Sequence, residues 1–187
     1  LTEYPDERET LCVGVFGENE SFYTLKGFAK VVADLFDLEF TYEPAVKPFL
    51  HPYQTAEIFC NGEKVGYLGK VSYEIMDDLD MRVSSYVMEI DMRLISAYYD
   101  MDQKFMPLPK YAVEKRDFAF VVDKDVTCAS IENGIKEACK YVTDVKLFDV
   151  YEGIQLGPNK RSMAFSVVFT PNNEEFTDDL IEGYVKK

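Results

Sequence analysis

The chain has 187 residues, of which 47% are hydrophobic and 14% aromatic, and its formal net charge at pH 7 is −14. This composition is apolar enough for a packed core, so it excludes an intrinsically disordered chain. No apolar run approaches the roughly 18 residues of a membrane-spanning helix, so no membrane partner is expected. The four cysteines, Cys12, Cys60, Cys128 and Cys139, form no CxxC pair and fit scattered thiols in a reducing cytoplasm.

The negative charge is concentrated in the first part of the chain. Residues 1–107 contain 9 Lys and Arg against 20 Asp and Glu, whereas residues 108–187 contain 11 against 14. A strongly acidic surface repels polyanions. Any nucleic-acid partner is therefore expected to approach the second half.

The first half predicts strands and helices in mixed order. Residues 11–16 form a buried-strand pattern, and residues 56–60 and 64–71 flank Asn61-Gly62, which is a strong hairpin signal. Residues 73–79 and 94–99 suggest short helices, and residues 86–90 alternate like a strand. A longer helix follows residue 25, and its expected core-facing stripe consists of Phe28, Val31, Val32, Leu35 and Phe36.

The second half predicts a β-α-β-β-α order. Strands are expected at residues 117–122, 142–151 and 162–170, with a helix at 127–140 whose N-cap is Thr127 or Ser130. A further helix is expected from residue 177 to the end. One more strand would complete a ferredoxin-like βαββαβ sheet. The chain also begins without Met or a signal peptide, so we expect a truncated piece of a longer protein.

A boundary between two domains is expected at residues 100–109, DMDQKFMPLP, because two nearby prolines disfavour helix and central strand. The predicted fold is therefore α+β, with a domain at 1–99, a linker at 100–109 and a domain at 110–187.

Residues for self-contained chemistry are missing from the sequence. The only histidine, His51, cannot complete a catalytic triad alone, and we interpret it as structural. No P-loop, GxGxxG, GxSxG or calcium-loop pattern occurs. No catalytic residue and no metal ligand is therefore predicted.

The stretch LFDVYEGIQLGPNKRSMAF, residues 147–165, predicts a hairpin with chemistry at one end. Tyr151 ends the first strand, Lys160 and Arg161 occupy the tip, and Ser162 begins the second strand. An aromatic ring with nearby cations suits base stacking and phosphate neutralisation. The same set fits an ordinary exposed hairpin in which Tyr151 covers a sheet edge, and the residues alone leave both interpretations open.

Several motifs of the second half carry a resemblance to a known family. KYAVEKRDFAFVV at 110–122, LFDVYEG at 147–153 and RSMAF at 161–165 together resemble the C-terminal anticodon-binding domain of bacterial phenylalanyl-tRNA synthetase β subunits. FLHPYQTAEI at 49–58 and GYLG at 66–69 resemble the end of the non-catalytic, class II synthetase-like domain of that subunit. Tyr53-Gln54 stands at the place where relatives often have Gly-Arg.

The resemblance implies an enzyme larger than this chain. Two α and two β subunits would join phenylalanine to its tRNA with ATP and magnesium, and the active site would lie in the α subunit. This fragment would need no cofactor of its own and would supply anticodon binding and subunit scaffolding.

The resemblance also implies which residues contact the RNA. Positions matching Ala119, Tyr151 and Ser162 would recognise the first anticodon base, a guanine. Alternation along the strands places Ala119 and Ser162 on an open sheet face, with Phe118 and Phe165 facing the helices. Five cations are expected to neutralise flanking phosphates: Lys110, Lys115, Arg116, Lys160 and Arg161.

Two alternatives stay open at this point. A βαββαβ unit is also the fold of ACT-like modules that bind amino acids. Residues 1–99, which are rich in aromatics and poor in chemistry, would also suit a pure protein-interaction surface.

Overall fold

The computed structural model describes residues 5, 7–99, 110–171 and 183. The chain divides into two compact units, Leu1–Lys104 and Phe105–Lys187. The linker predicted at 100–109 lies outside the described residues. So does the helix predicted from residue 177, apart from Gly183.

The first unit is built on a five-stranded antiparallel sheet with the order β1-β5-β4-β3-β2. Its elements are β1 (Thr10–Phe16), α1 (Phe22–Leu35), β2 (Phe40–Pro44), β3 (Leu50–Cys60), β4 (Glu63–Val71), α2 (Tyr73–Asp78), β5 (Ser85–Asp91) and α3 (Met92–Tyr98). All the strands and helices predicted for this half are present. The edge strand β2 was not predicted.

The turn between β3 and β4 confirms the hairpin prediction. Asn61 and Gly62 both have positive φ, at 51° and 80°. A two-residue turn with positive φ at both positions matches the right-handed twist of the strands that it joins. This turn fixes the pairing of the two longest strands of the unit.

The stripe predicted to bury α1 was partly wrong. Val32 and Phe36 do pack against the core, but Phe28, Val31 and Leu35 are exposed, Leu35 by 70%. The residues that α1 buries are instead Leu25, Ala29 and Ala33. Two alanine side chains allow the helix to approach the sheet closely, and Phe28, Val31 and Leu35 are left on the outer side.

The second unit is a three-stranded antiparallel sheet with one described helix packed on it. Its elements are β6 (Glu114–Asp123), α4 (Cys128–Ala138), β7 (Val142–Tyr151), a 3-10 helix (Ile154–Leu156) and β8 (Lys160–Phe169). The strand order β6-β8-β7 is that of the first three strands of a ferredoxin-like fold. The predicted α+β class is confirmed.

Of the two N-cap residues predicted for helix α4, Thr127 is the one that caps it. The Thr127 hydroxyl accepts a hydrogen bond from the backbone N–H of Ser130 at 3.2 Å. Ser130 is therefore the third residue of the helix rather than its cap. The bond satisfies one of the free N–H groups of the first turn.

One face of the second sheet forms the core of this unit. Met163, Phe165, Val167 and Phe169 of β8 are buried there, and Ile131 and Ile135 of α4 pack against them, as do residues of the two outer strands. This confirms the core-facing position predicted for Phe165, and Phe118 of β6 packs against the same cluster as predicted. The opposite face, called the open face below, carries the alternate residues of the same strands.

No helix in the described ranges is long and apolar enough to cross a membrane. The Nδ1 atom of His51 accepts a hydrogen bond from the backbone N–H of Tyr53 at 3.2 Å, which agrees with a structural role. Within the same ranges, no group of three or more His, Cys, Asp or Glu side chains is arranged to hold a metal.

Candidate nucleic-acid interface

The open face brings Tyr151 and Ser162 together. Tyr151 of β7 lies directly opposite Ser162 of β8, and Ser162 lies opposite Val121 of β6. Side chains directly opposite each other in antiparallel strands have Cβ atoms about 5 Å apart. The next row along the sheet pairs Ala119 with Ala164, so Ala119 is diagonal to Ser162. Two methyl side chains therefore form a low floor beside the Tyr151–Ser162 pair.

A β-bulge decides the face on which Tyr151 lies. Leu147 pairs with Phe165 on the core face, but the next pair joins Asp149 to Ala164, so Phe148 is the extra residue. An extra residue shifts the alternation of the strand by one. Tyr151 consequently lies on the open face, whereas uninterrupted alternation from Leu147 would place it on the core face.

The Tyr151 side chain leans along its strand towards the hairpin loop. It is 49% exposed. A Cβ atom added to Gly153 would lie 2.2 Å from its Oη and 2.5 Å from its Cζ. The phenol end of the ring therefore rests against the backbone of Gly153. Beside it is a shallow cavity of about 420 Å³, lined in part by Lys124, Ile154 and Lys160.

The cations at the tip do not all share this face. Lys160 lies opposite Asp123, with its Nζ 3.3 Å from the Asp123 carboxylate, one row beyond Ser162 on the open face. Arg161 alternates to the other face, where its guanidinium donates a hydrogen bond to the Val126 carbonyl at 2.6 Å. The structure thus groups Lys160, but not Arg161, with Tyr151.

The remaining predicted cations lie farther away. Lys115 is on the open face opposite Val168, six residues along β8 from Ser162, or roughly 20 Å at the rise of a strand. Arg116 alternates to the core face and lies 3.5 Å from the Glu114 carboxylate. Lys110 is exposed and precedes β6. None of these three adjoins Tyr151.

Two polar residues near the pair were missed from the sequence. Asp149 flanks the alanine floor, since it lies opposite Ala164. Lys124 follows β6 and its Nζ donates a hydrogen bond to the Glu152 carboxylate at 2.7 Å. The bulge hides the position of Asp149 from any alternation pattern, and only the strand pairing brings Lys124 to Glu152.

The charge of Glu152 is stabilised by its neighbours. The hydrogen bond from Lys124 lowers the pKa of this carboxyl below its ordinary value, and the charges of Lys124 and Arg161 act in the same direction. Glu152 is therefore ionised at neutral pH. The hairpin tip combines cations and anions rather than forming a uniformly basic patch.

The chain matches two family models that together cover most of its length. Residues 1–92 match the phenylalanyl-tRNA synthetase β chain CLM domain, and residues 109–187 match the ferredoxin-fold anticodon-binding domain. The chain belongs to the phenylalanine–tRNA ligase β-subunit family. This confirms the resemblance to that family and the ferredoxin-like fold of the second unit.

Individual relatives in this family agree over nearly the whole chain. The phenylalanine–tRNA ligase β subunit of Clostridium tetani is 33% identical over 93% of this chain. That of Shouchella clausii is 33% identical over 96%, and that of Geobacillus kaustophilus is 34% identical over 84%. The matches span only 22%, 24% and 20% of these relatives' own lengths. An amino-acid-binding regulatory module is not favoured, because both matching domains belong to a synthetase.

Proposed function

We propose that the second unit binds the anticodon of phenylalanine tRNA through its open face, as part of an ATP-dependent ligase that joins phenylalanine to that tRNA. The observation that carries this proposal is the pairing of an exposed Tyr151 with Ser162 beside the alanine floor. The match of residues 109–187 to an anticodon-binding domain supports it.

The chemistry of the pair suits an unstacked base. The Tyr151 ring offers a stacking surface, and the alanine floor formed by Ala119 and Ala164 leaves space for a base to approach the sheet. The Ser162 hydroxyl can donate and accept hydrogen bonds. The Asp149 carboxylate is an acceptor for the N–H donors on the Watson–Crick edge of a guanine. These groups support guanine as the first anticodon base.

Contacts to the phosphates nearest the base are assigned to cations of the open face. Lys160 is one row from the pair, and Lys115 is far enough away to meet a different nucleotide. Lys110 and Arg116 remain candidates for contacts away from the base. Arg161 is not assigned a phosphate contact in this proposal, because its guanidinium donates a hydrogen bond to the Val126 carbonyl on the other face.

The rest of the activity is assigned to the larger assembly. The first unit would contact the α subunit in an enzyme of two α and two β subunits, and its exposed Phe28, Val31 and Leu35 supply apolar surface for such a contact. The described residues of this chain offer no cluster for a metal ion. We assign the binding of ATP and magnesium to other parts of the ligase, as the family resemblance implies. Separate elution of the full-length protein and the α subunit on co-expression would contradict the scaffolding role.

The test compares two anticodon stem-loops, one cognate and one with a changed first anticodon base, on the full-length ligase. We expect Tyr151→Ala to weaken cognate binding by roughly 1–3 kcal/mol, the range of one base–aromatic stack. Tyr151→Phe, which keeps the ring, is the matched control and should retain most of the affinity. Binding should be measured at low and moderate salt, because phosphate contacts weaken with salt.

The outcomes separate base recognition from charge attraction. Preference for the cognate loop that disappears in Tyr151→Ala supports the proposal. Equal, salt-sensitive binding of both loops by the wild type would mean that the open face contacts phosphates but does not recognise the base. Unchanged affinity in a folded Tyr151→Ala ligase would refute the stacking role.

A further inference from the structure

The hairpin loop contains a glycine that backbone geometry does not require. Gly153 has φ −146° and ψ 156°, an extended conformation that any residue adopts. Gly157, in the same loop, differs because its φ of 93° lies in the region that favours glycine. Gly153 must therefore be explained by its surroundings.

A polar side chain at residue 153 could cap the 3-10 helix that follows, which glycine cannot do. Gly153 is the N-cap of the 3-10 helix Ile154–Leu156 and makes no side-chain capping bond there. Ser, Asp or Asn at an N-cap accepts a hydrogen bond from the first turn. Glycine also loses more backbone entropy on folding than other residues do. Neither capping nor chain entropy accounts for this glycine.

The surroundings supply a steric reason. An added Cβ atom at residue 153 would lie 2.2 Å from the Oη, 2.5 Å from the Cζ and 2.7 Å from the Cε1 of Tyr151. These atoms form the phenol end of a single side chain and include no backbone atom. The space that a Cβ would fill is therefore occupied by the end of the Tyr151 ring.

We propose that Gly153 is a positioning residue for base recognition. Because it has no side chain, the end of the Tyr151 ring can occupy the space of its missing Cβ atom and is held there against the strand. This inference rests on the proposed function, since it assigns the stacking surface to one orientation of that ring. Residues i and i+2 of an extended strand point to the same side, so the ring of residue 151 lies over residue 153. With one end supported by the backbone, the ring is held beside Ser162 before the RNA arrives. Preorganisation of this kind lowers the entropy that binding must remove.

The substitution Gly153→Ala tests this inference. The added methyl group is expected to displace the ring without unfolding the hairpin, because the end of a half-exposed side chain can rotate away. The matched control is Gly134→Ala in α4, since no atom lies within 4 Å of the place of its Cβ. Crystal structures of the wild-type and Gly153→Ala ligases should show different Tyr151 side-chain torsions. An unmoved ring would overturn the inference.

Binding measurements decide whether the ring position matters for recognition. For the cognate anticodon stem-loop, we expect Tyr151→Ala to weaken binding about 5- to 150-fold and Gly153→Ala to weaken it by at least about threefold. The double variant should bind no more weakly than Tyr151→Ala alone, because both changes act through one ring. Gly134→Ala should bind like the wild type.

A merely structural role for Gly153 predicts different readouts. In aminoacylation, the positioning role predicts a higher KM for tRNA with little change in kcat, and ATP–pyrophosphate exchange without tRNA should be unaffected. The melting temperature of Gly153→Ala should not fall. A lowered melting temperature with proportionate losses in all assays would contradict the inference.

The failure of this inference can be distinguished from failure of the proposed function. Weakened binding in Tyr151→Ala with wild-type binding in Gly153→Ala would overturn the positioning role and leave the stacking role intact. Losses that add in the double variant would mean that Gly153 does not act through Tyr151. Unchanged binding in Tyr151→Ala would refute both.

Discussion

The first unit offers a stability test in which two glycines of one sheet should respond in opposite ways to the same substitution. A Cβ atom at Gly66 of β4 would lie 2.1 Å from the carbonyl oxygen of Glu89 on β5, whereas nothing lies within 4 Å of the corresponding position at Gly14 of β1. Gly66 pairs with Ile90, and Tyr67 pairs with Glu89, so the obstructing atom belongs to the sheet backbone. It cannot rotate away as a side chain can.

The size of the effect follows from this contact. The strands β4 and β5 must separate by roughly 1 Å to reach an ordinary contact distance, which strains the core. Overpacking of this kind costs about 1–3 kcal/mol. Each weakened ladder hydrogen bond adds about 1 kcal/mol. With one such bond weakened, we expect Gly66→Ala to lower the free energy of unfolding of this unit by about 2–4 kcal/mol. Gly14→Ala should instead raise it by up to about 1 kcal/mol through lower chain entropy.

The assay is thermal unfolding followed by circular dichroism, with amide exchange of β4 and β5 to assign the transition to this unit. For a unit of this size, 1 kcal/mol corresponds to about 4–8 °C, so Gly66→Ala should lower the midpoint by about 8 °C or more. Midpoints for Gly66→Ala and Gly14→Ala within a few degrees of each other would refute the steric argument.

Three further predictions concern the second unit. Thr127→Ala should lower its free energy of unfolding by about 1 kcal/mol, since it removes the cap of α4, and Ser130→Ala should cost less in the same urea titration. Glu152→Gln releases Lys124 and removes an anion beside Tyr151, so the full-length ligase should bind the anticodon stem-loop about 2- to 5-fold more tightly in 50 mM salt, an advantage that 0.5 M salt removes. Because the pKa of Glu152 is lowered, the Lys124 pair should persist in the wild type below pH 5 and be lost only as the pH falls through that lowered value. Weaker binding by Glu152→Gln at low salt would contradict this electrostatic reasoning.

The strands and turns of this chain could be predicted where local chemistry determines them. Asn61-Gly62 specifies its own turn through positive φ, and Thr127 specifies a helix start through its hydroxyl. The buried face of α1 could not be predicted in the same way, because apolar residues occur on both sides of that helix. Which side packs depends on how closely the sheet approaches, and the small Ala29 and Ala33 permit the closest approach. The strand β2 (Phe40–Pro44) was missed because it is short, polar in part and at the sheet edge.

The face on which the candidate site lies could not be predicted from the alternation of residues along the strands. The hairpin pattern singled out Tyr151 and Ser162, and the family resemblance implied their role in base recognition. Their placement on one face, however, depends on the bulge at Phe148. Regular alternation from Leu147 would put Tyr151 among the core-facing residues of β7. It would then lie on the same side as Arg161, the cation that the structure separates from it. Whether Phe148 bulges out of the strand or pairs with β8 therefore decides which cation lies on the same face as the aromatic ring.

The bulge also explains why Phe148 is 56% exposed. An apolar side chain is left in solvent because the extra residue has no partner on β8, and its exposure opposes the stability of the hairpin. After the bulge, Asp149 and Tyr151 lie on the open face, and Val150 lies on the core face. If Phe148 paired with Ala164 in a regular strand, Asp149 and Tyr151 would both turn towards the core face. The recognition surface of this sheet thus depends on an irregularity that no periodic pattern in the sequence reveals.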